Sequence, residues 1–313
     1  MPKLSKRVTS FTDSVIRRMT RISDEFDAIN LSQGFPDFDP PREILDALAH
    51  VAYSGPHQYP ITFGAENLRQ ALACKQGKAI GRTIDLEAEI VITCGATEAM
   101  MCAIMTICNP GDKVMIFSPF YENYGADTIL TGAQPIYIPL VPPDFSFDLD
   151  LIENGFIEGA KAIIVCNPSN PSGKVFTREE LESIGRLALK YDAFVITDEV
   201  YEHMVYAPYK HTYISGLPGM YDNTITCNSL SKTFSITGWR LGYLIGPPEV
   251  IEGAKKVHDF LTVGAPAPLQ EAAVPGSSFF NEEVNHLIRL HFAREEGTLD
   301  ESLRRLAKLK ELL

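Results

Sequence analysis

The sequence Ile-Val-Ile-Thr-Cys-Gly-Ala-Thr-Glu-Ala, residues 90–99, combines three local patterns within ten residues. Its β-branched start is typical of a buried strand, and Gly95 indicates a turn. Apolar residues then recur at helical spacing. The stretch therefore predicts a strand, a glycine turn and a helix whose first amides, near Gly95, Ala96 and Thr97, would attract an anion. An ordinary strand-to-helix turn without a ligand is the alternative for this segment alone.

Short apolar runs alternate with helical patterns along most of the remaining chain. Further strands are predicted at 114–117, 135–138, 162–166, 194–197, 224–228 and 241–245. This alternation favours an α/β fold with a mainly parallel sheet sandwiched by helices. We expect a large domain at 45–273 and a reduced small α+β domain formed by 1–44 and 274–313.

Polar side chains follow two of the predicted strands. Asp198 and Tyr201 come after the strand at 194–197, and Asn170 comes after the strand at 162–166. Open α/β sheets bind ligands at the carboxyl ends of their strands. If the ligand contains a heterocyclic ring, Asp198 could keep a pyridine nitrogen of that ring protonated. Tyr201 and Asn170 could donate hydrogen bonds to an oxygen on the same ring. Helix capping and turn formation are the alternative roles of these residue types.

A lysine among hydroxyl side chains is the remaining chemical signal. Lys232 lies in Ser-Leu-Ser-Lys-Thr-Phe at 229–234, and Arg240 follows in Gly-Trp-Arg. Alone, this segment could be a solvated surface loop. Together with an anion-binding turn and Asp198, however, a lysine flanked by Ser229 and a second cation supplies what a pyridoxal 5′-phosphate (PLP) Schiff-base site requires.

In this order, the motifs resemble those of the class I/II aminotransferases of the PLP fold-type I superfamily, which includes aspartate aminotransferase. The resemblance covers residues 8–274 and resumes at 275–313. It implies that Lys232, Asp198 and Tyr201 are the catalytic residues. It also implies a cofactor site formed by Gly95, Ala96, Thr97, Tyr121, Asn170, Asp198, Tyr201, Ser229, Lys232 and Arg240.

The resemblance extends to substrate binding and to assembly. Gly34 and Asn170 match substrate-side residues, and Arg289 matches the arginine that grips the α-carboxylate of the amino acid. Tyr121 matches the aromatic residue stacked on the cofactor ring. Tyr59 matches the tyrosine that reaches the phosphate of the neighbouring subunit. A homodimer with shared active sites is the implied assembly.

The implied activity is transamination between an L-amino acid, of the aspartate or aromatic class, and a 2-oxo acid such as 2-oxoglutarate. Three alternatives remain open. The first is another enzyme of the same fold type, a lyase or a decarboxylase, which would use the same cofactor site. The second is an inactive PLP-binding remnant and the third is a sensor domain of a regulator, and both would bind the cofactor without turnover.

One departure from the family is large. In the family, a segment like 265–273 continues into a long helical arm and most of the small domain before a Val-Pro-Gly-Ser-Ser-Phe segment. Here Val274 is followed at once by Pro275-Gly276-Ser277-Ser278. Natural loss, engineered shortening and omitted residues would each explain this internal gap.

Composition and charge limit which partners and locations are expected for the protein. The net charge of −12 argues against a nucleic-acid partner, because such proteins carry basic surfaces. No apolar stretch reaches membrane-spanning length, and the N-terminus lacks the apolar core of a signal peptide. Six cysteines without CxxC spacing suggest neither a metal site nor disulfides. We therefore expect a cytoplasmic protein that binds no metal.

Overall fold

The computed structural model describes residues 2–11, 14–34, 36–277 and 301. Its helices in these ranges are α1 (Val15–Glu25), α2 (Arg42–Ser54), α3 (Glu66–Ile80), α4 (Ala96–Ile107), α5 (Asn123–Thr131), α6 (Leu149–Ile157), α7 (Arg178–Lys190), α8 (Pro248–Thr262) and α9 (Ala267–Ser277). Its strands are β1 (Ile90–Thr93), β2 (Lys113–Ser118), β3 (Gln134–Pro139), β4 (Ala160–Cys166), β5 (Phe194–Asp198), β6 (Thr224–Ser229) and β7 (Gly242–Ile245).

The strands form one sheet in the order β1-β7-β6-β5-β4-β2-β3. The five strands from β6 to β3 in this order are parallel, whereas β7 is antiparallel to both β6 and β1. The mainly parallel α/β sheet expected from the sequence is confirmed. Because β7 is reversed, its first residue lies at the same sheet edge as the last residues of β1 and β6.

Both faces of the sheet are covered by helices. Ile164, Ile196 and Ile225 pack in a cluster with α4 and α8, whereas their neighbours Ile163 and Val195 pack in a cluster with α6 and α7. Successive side chains of a strand point to opposite faces, so strands buried on both sides read as continuous apolar runs. That is why these strands could be located from the sequence.

A third cluster joins α2, α3 and α9 to β1 and β7, with Ile44, Leu72 and Ala273 fully or almost fully buried. Helix α9 runs through Val274 without interruption as far as Ser277. Most of the region predicted as the second part of the small domain, 274–313, lies outside the described residues. The proposed domain boundaries therefore stay a prediction.

Helix α1 lies at the surface of the described structure. None of its residues is buried, and Val15 remains 47% exposed. Its N-terminus is held by Glu122, which accepts hydrogen bonds from the Ser14 hydroxyl and, at 3.0 Å, from the Val15 amide. Within the described residues, its apolar side chains Val15, Met19 and Ile22 remain exposed.

Candidate active site

A cavity of about 1050 Å³ opens at the edge where β4, β5 and β6 end and β7 begins. Most of the predicted site residues line it, namely Gly34, Ala96, Thr97, Tyr121, Asn170, Asp198, Tyr201, Ser229, Lys232 and Arg240. Gly95 adjoins it through its contact with Arg240. Tyr59 does not line the cavity, and its side chain is 84% exposed. Arg289 lies outside the described residues.

One end of the cavity is shaped by two close backbone approaches. A Cβ added to Gly95 would lie 2.3 Å from the Nη2 atom of Arg240, and a Cβ added to Gly242 would lie 2.3 Å from the carbonyl carbon of Gly95. Gly95 also has a φ of +83°, which favours glycine. Only glycine at these positions lets a guanidinium approach the N-terminus of α4. This arrangement of a cation beside free helix amides suits a phosphate.

A buried network holds that turn in place. The Glu98 carboxylate accepts hydrogen bonds from the Cys94 amide at 2.5 Å and the Thr262 hydroxyl at 2.9 Å, and it lies 2.9 Å from Nδ1 of His258. Burial alone would raise the pKa of Glu98, but the bonds to His258 and Cys94 outweigh it and lower the pKa. The start of α4 is thus tied to α8.

Lys232 projects from the loop after β6. Its Nζ atom donates a hydrogen bond to the Gly34 carbonyl at 2.6 Å and lies 6.0 Å from the centre of the Tyr201 ring. Burial and the charge of Arg240 together lower the pKa of Lys232 to about 8, against the opposing charge of Asp198. An appreciable fraction of this amine is therefore uncharged near neutral pH, as a nucleophile or general base requires.

Asp198 ends β5 and is 6% exposed. Its Oδ2 atom accepts a hydrogen bond from the Tyr124 hydroxyl at 2.7 Å, and its Oδ1 atom accepts one from the Val200 amide at 3.2 Å. Burial raises the pKa of Asp198, whereas these two donors and the charge of Lys232 oppose the rise. The carboxylate is positioned to pair with a cationic group inside the cavity.

Aromatic and amide groups complete the same end of the cavity. Tyr201 and Asn170 both line it, and burial raises the pKa of Tyr201 while Asn170 partly opposes the rise. Tyr121 lines it together with Thr97 of α4, and burial raises the pKa of Tyr121 while Thr97 partly opposes the rise. The structure thus brings Tyr201 and Asn170 to one cavity, and Tyr121 to the same cavity as the start of α4.

Sequence reasoning overlooked Tyr124, which lines the cavity and holds Asp198. Its signal was its position three residues after Tyr121, a spacing that places both rings on one side of a helical turn. The two rings meet edge to face, with centroids 5.6 Å apart. Also overlooked was the outer side of the cavity, which is lined by Ser10, Phe11, Ser14, Arg17 and Gln33.

Comparison with known proteins agrees with this architecture. Residues 27–311 match the family described as aminotransferase class I and II. The three-dimensional structure of N-succinyldiaminopimelate aminotransferase from Mycobacterium tuberculosis superposes with a TM-score of 0.90 at 28% identity, covering 98% of this chain and all of that chain. This chain therefore has the α/β architecture of the fold type I aminotransferases.

Curated relatives give the same result. Kynurenine–oxoglutarate transaminase 3 of Rattus norvegicus is 38% identical over 281 residues, which cover 86% of this chain and 62% of the relative. A probable N-succinyldiaminopimelate aminotransferase of Mycobacterium tuberculosis is 36% identical over 268 residues, which cover 85% of this chain and 68% of the relative.

The chain belongs to the class I and II aminotransferases, a family that depends on PLP. It spans less than two thirds of the length of the rat relative. In the part of the chain that the structure describes, every helix is too short or too polar to cross a membrane.

Proposed function

We propose that this chain is a PLP-dependent transaminase that moves an amino group between an L-amino acid and a 2-oxo acid. The observation that carries the proposal is the shared cavity of Lys232, whose pKa is lowered to about 8, and the buried Asp198 carboxylate. Amino-group transfer requires a group that moves protons and a group that stabilises a protonated ring nitrogen. The amine of Lys232 and the carboxylate of Asp198 match these two requirements within one cavity.

The residues present fit the cofactor. Arg240, Ser229 and the first amides of α4 would hold the phosphate, because they combine positive charge with hydrogen-bond donors in one corner of the cavity. Asp198 would face the pyridine nitrogen, since this buried carboxylate needs a cationic partner. When bound, PLP supplies an aldehyde that links to amino groups and a ring that accepts electron density from the α-carbon.

The chain's own residues supply the proton transfers and the orientation. Lys232 can accept and donate a proton near neutral pH, so it would remove the α-proton and return it at a neighbouring position. Asp198 would keep the ring nitrogen protonated through its charge. Tyr201 and Asn170, which line the same cavity, would hold the ring oxygen. Arg289 would bind the α-carboxylate through two parallel hydrogen bonds.

The substrate class is part of the proposal. The rat relative is named for kynurenine and oxoglutarate, and the mycobacterial relative is named for N-succinyldiaminopimelate. We propose aspartate or aromatic amino acids as donors and 2-oxoglutarate as acceptor, in biosynthetic amino acid metabolism. A cytoplasmic location is proposed too, and it is supported by six cysteines that form no disulfide.

A homodimer with shared sites is also proposed, on the basis of an exposed apolar surface. Tyr59 and Ile61 are 84% and 56% exposed, and Phe260 is 91% exposed. The two segments adjoin each other, because the Thr62 hydroxyl donates to Asp259 Oδ1 at 3.2 Å. Exposed apolar groups clustered in this way are typical of a protein interface. A second copy covering this surface would bring Tyr59 to the neighbouring cavity.

Product analysis tests the activity. The purified chain loaded with PLP would be incubated with each amino acid, with and without 2-oxoglutarate. We expect glutamate and the donor's 2-oxo acid to form in equal amounts, and only when the acceptor is present. Ammonia or carbon dioxide released without an acceptor would instead favour a lyase or a decarboxylase.

Mass spectrometry tests the cofactor link. Borohydride reduction followed by peptide mass spectrometry should place the cofactor on Lys232, and the intact mass would check the length of the chain.

Mixing two impaired variants tests the shared sites. Tyr59→Phe weakens the partner's phosphate site, whereas Lys232→Ala disables the chain's own site. Hybrid dimers would contain one site without either lesion, so mixing should restore part of the activity and of the cofactor affinity. A chain that sediments as a monomer and shows no gain on mixing would contradict the dimer.

A further inference from the structure

Glu202 is a buried carboxylate that the proposed chemistry does not use. Its side chain is 2% exposed, and it forms an ion pair with Lys75 of α3, itself 6% exposed. It also accepts hydrogen bonds from the side-chain amide of Asn228 at 2.8 Å and from the Tyr213 hydroxyl at 2.6 Å. Burial alone would raise the pKa of Glu202, but the charge of Lys75 outweighs it and lowers the pKa to about 2.

The other titratable side chains around Glu202 are mostly neutral at pH 7, which leaves Lys75 as its counterion. Burial and the charge of Glu202 together raise the pKa of Glu199 to about 8, against the opposing charge of Lys75, so Glu199 is mostly neutral at pH 7. Burial lowers the pKa of His211 to about 4 and also lowers that of His203, whose Nε2 lies 3.6 Å from Glu202. The group of buried side chains therefore contains one anion and one cation.

Glu202 is connected to two cavity residues, Tyr201 and Ser229. Glu202 follows Tyr201 in the chain, and Asn228 precedes Ser229. The Asn228 side chain donates to Glu202 with its nitrogen and accepts from the Ser229 amide, at 2.7 Å, with its oxygen. One carboxylate is thus joined through a buried amide to the backbone of Ser229 and through one peptide bond to Tyr201.

We propose that Glu202 is a positioning residue that fixes the distance between the Tyr201 hydroxyl and Ser229, and hence between the ring-oxygen and phosphate contacts of the cofactor. The inference rests on the proposed function, because it assigns those two contacts to PLP. Lys75 takes part by keeping Glu202 ionised, so that the carboxylate can accept several hydrogen bonds at once. Neither residue touches the cavity.

The test compares Glu202→Gln with a matched control, Glu89→Gln. Glu89 is also buried and ion-paired, since it accepts from Arg82 at 2.8 Å and from the Asp85 amide at 2.8 Å. It precedes β1, at the sheet edge opposite the cavity. Both variants should lose thermal stability. Each would be titrated with PLP, and the visible absorbance of the bound cofactor would be followed against pH.

We expect Glu202→Gln to weaken PLP binding by about tenfold, because the cofactor must then order Tyr201 and Ser229 itself when it binds. The pH midpoint of the cofactor absorbance should also shift, because the Tyr201 hydroxyl is no longer held against the ring oxygen. Glu89→Gln should keep the wild-type affinity and midpoint. Tyr213→Phe removes one donor but keeps the ring, so it should give a smaller shift in the same direction and replaces Glu202→Gln if that variant does not fold.

The outcomes separate the two proposals. Wild-type affinity and midpoint in both Glu202→Gln and Tyr213→Phe would overturn the positioning role, and so would equal changes in Glu89→Gln. If the wild-type chain itself fails to link PLP to Lys232, the proposed function is wrong. A wild-type chain that links PLP normally, beside variants that behave like it, would overturn the positioning role alone.

Discussion

The two walls of the cavity are built differently. The inner wall consists of strand ends and the turns that follow them, and its Asp198 is 6% exposed with two hydrogen-bond donors. The outer wall is lined by residues 10, 11, 14–17, 33 and 34, and it includes the start of α1, which buries no side chain. The sheet fixes the inner wall as part of the core, whereas the outer wall depends on a few contacts such as those of Glu122. Under the proposed function, cofactor chemistry would depend on the inner wall and substrate discrimination on the outer wall.

The largest effect should come from the inner wall. Lys232→Ala removes the amine that would carry both the cofactor link and the proton, so kcat should fall by at least about 10³-fold. PLP should still bind through the phosphate contacts, as measured by titration. Lys256→Ala, at a 69% exposed side chain, is the control and should behave like the wild type. Turnover of Lys232→Ala within tenfold of the wild type would refute the assignment.

Asp198→Asn should lower kcat by about 10²-fold or more, because a neutral amide cannot stabilise a protonated ring nitrogen. Steady-state kinetics would measure the loss, and circular dichroism would check that the fold is kept. Tyr124→Phe is the graded companion: it removes one hydrogen bond of 2.7 Å and leaves the carboxylate, so its loss should be smaller. Near-native turnover of Asp198→Asn would show that ring protonation is controlled elsewhere.

The pH dependence of Lys232 sharpens the comparison further. In the cofactor-free protein, labelling of Lys232 by a small amine reagent should rise through a midpoint near its pKa of about 8. Burial is the larger cause of the lowered pKa and the charge of Arg240 is the next, so Arg240→Met should move the midpoint upward. At pH 7 the neutral amine then becomes scarcer, and labelling should slow by several-fold.

Asp198→Asn provides the opposite sign in the same assay. The negative charge of Asp198 opposes the lowered pKa of Lys232, so its removal should move the midpoint downward. Midpoints that do not separate in these directions would show that the two charges do not act on Lys232 as the structure indicates.

The smallest effect should come from the outer wall. Ser14 caps α1 by accepting from the Arg17 amide at 3.2 Å, and it also donates to Glu122. Losing such a cap costs about 1 kcal/mol of helix stability. Ser14→Ala should therefore raise KM for the amino donor by about two- to fivefold and leave PLP affinity unchanged. A loss of PLP affinity in Ser14→Ala would contradict the division between the two walls.

The sequence predicted the inner wall better than the outer wall for a physical reason. Each strand ended within about two residues of its predicted end, because buried β-branched runs are continuous and the polar residues after them mark the sheet edge. The cavity-lining positions of Asp198, Asn170 and Lys232 follow from that edge. Their roles toward the cofactor stay predictions.

Contacts between distant segments could not be predicted from spacing. Tyr124 and Asp198 are 74 residues apart, and Lys75 and Glu202 are 127 residues apart. Local patterns report which face of an element is apolar, but they do not report which partner meets it. The same limit applies to α1, where Val15 continues a helical apolar stripe and yet remains 47% exposed.

The reversal of β7 has a consequence for how the site resists opening. Lys232 and Arg240 both lie in the connection between β6 and β7, which is closed by a hydrogen bond of 3.1 Å from the Leu230 amide to the Leu241 carbonyl. Phe234 inside this connection is buried. Since β6 and β7 are both interior strands, the two ends of the connection are fixed in the sheet. The buried amides of Leu230, Phe234 and Ile236, which donate to backbone carbonyls within this connection, should therefore exchange slowly with solvent.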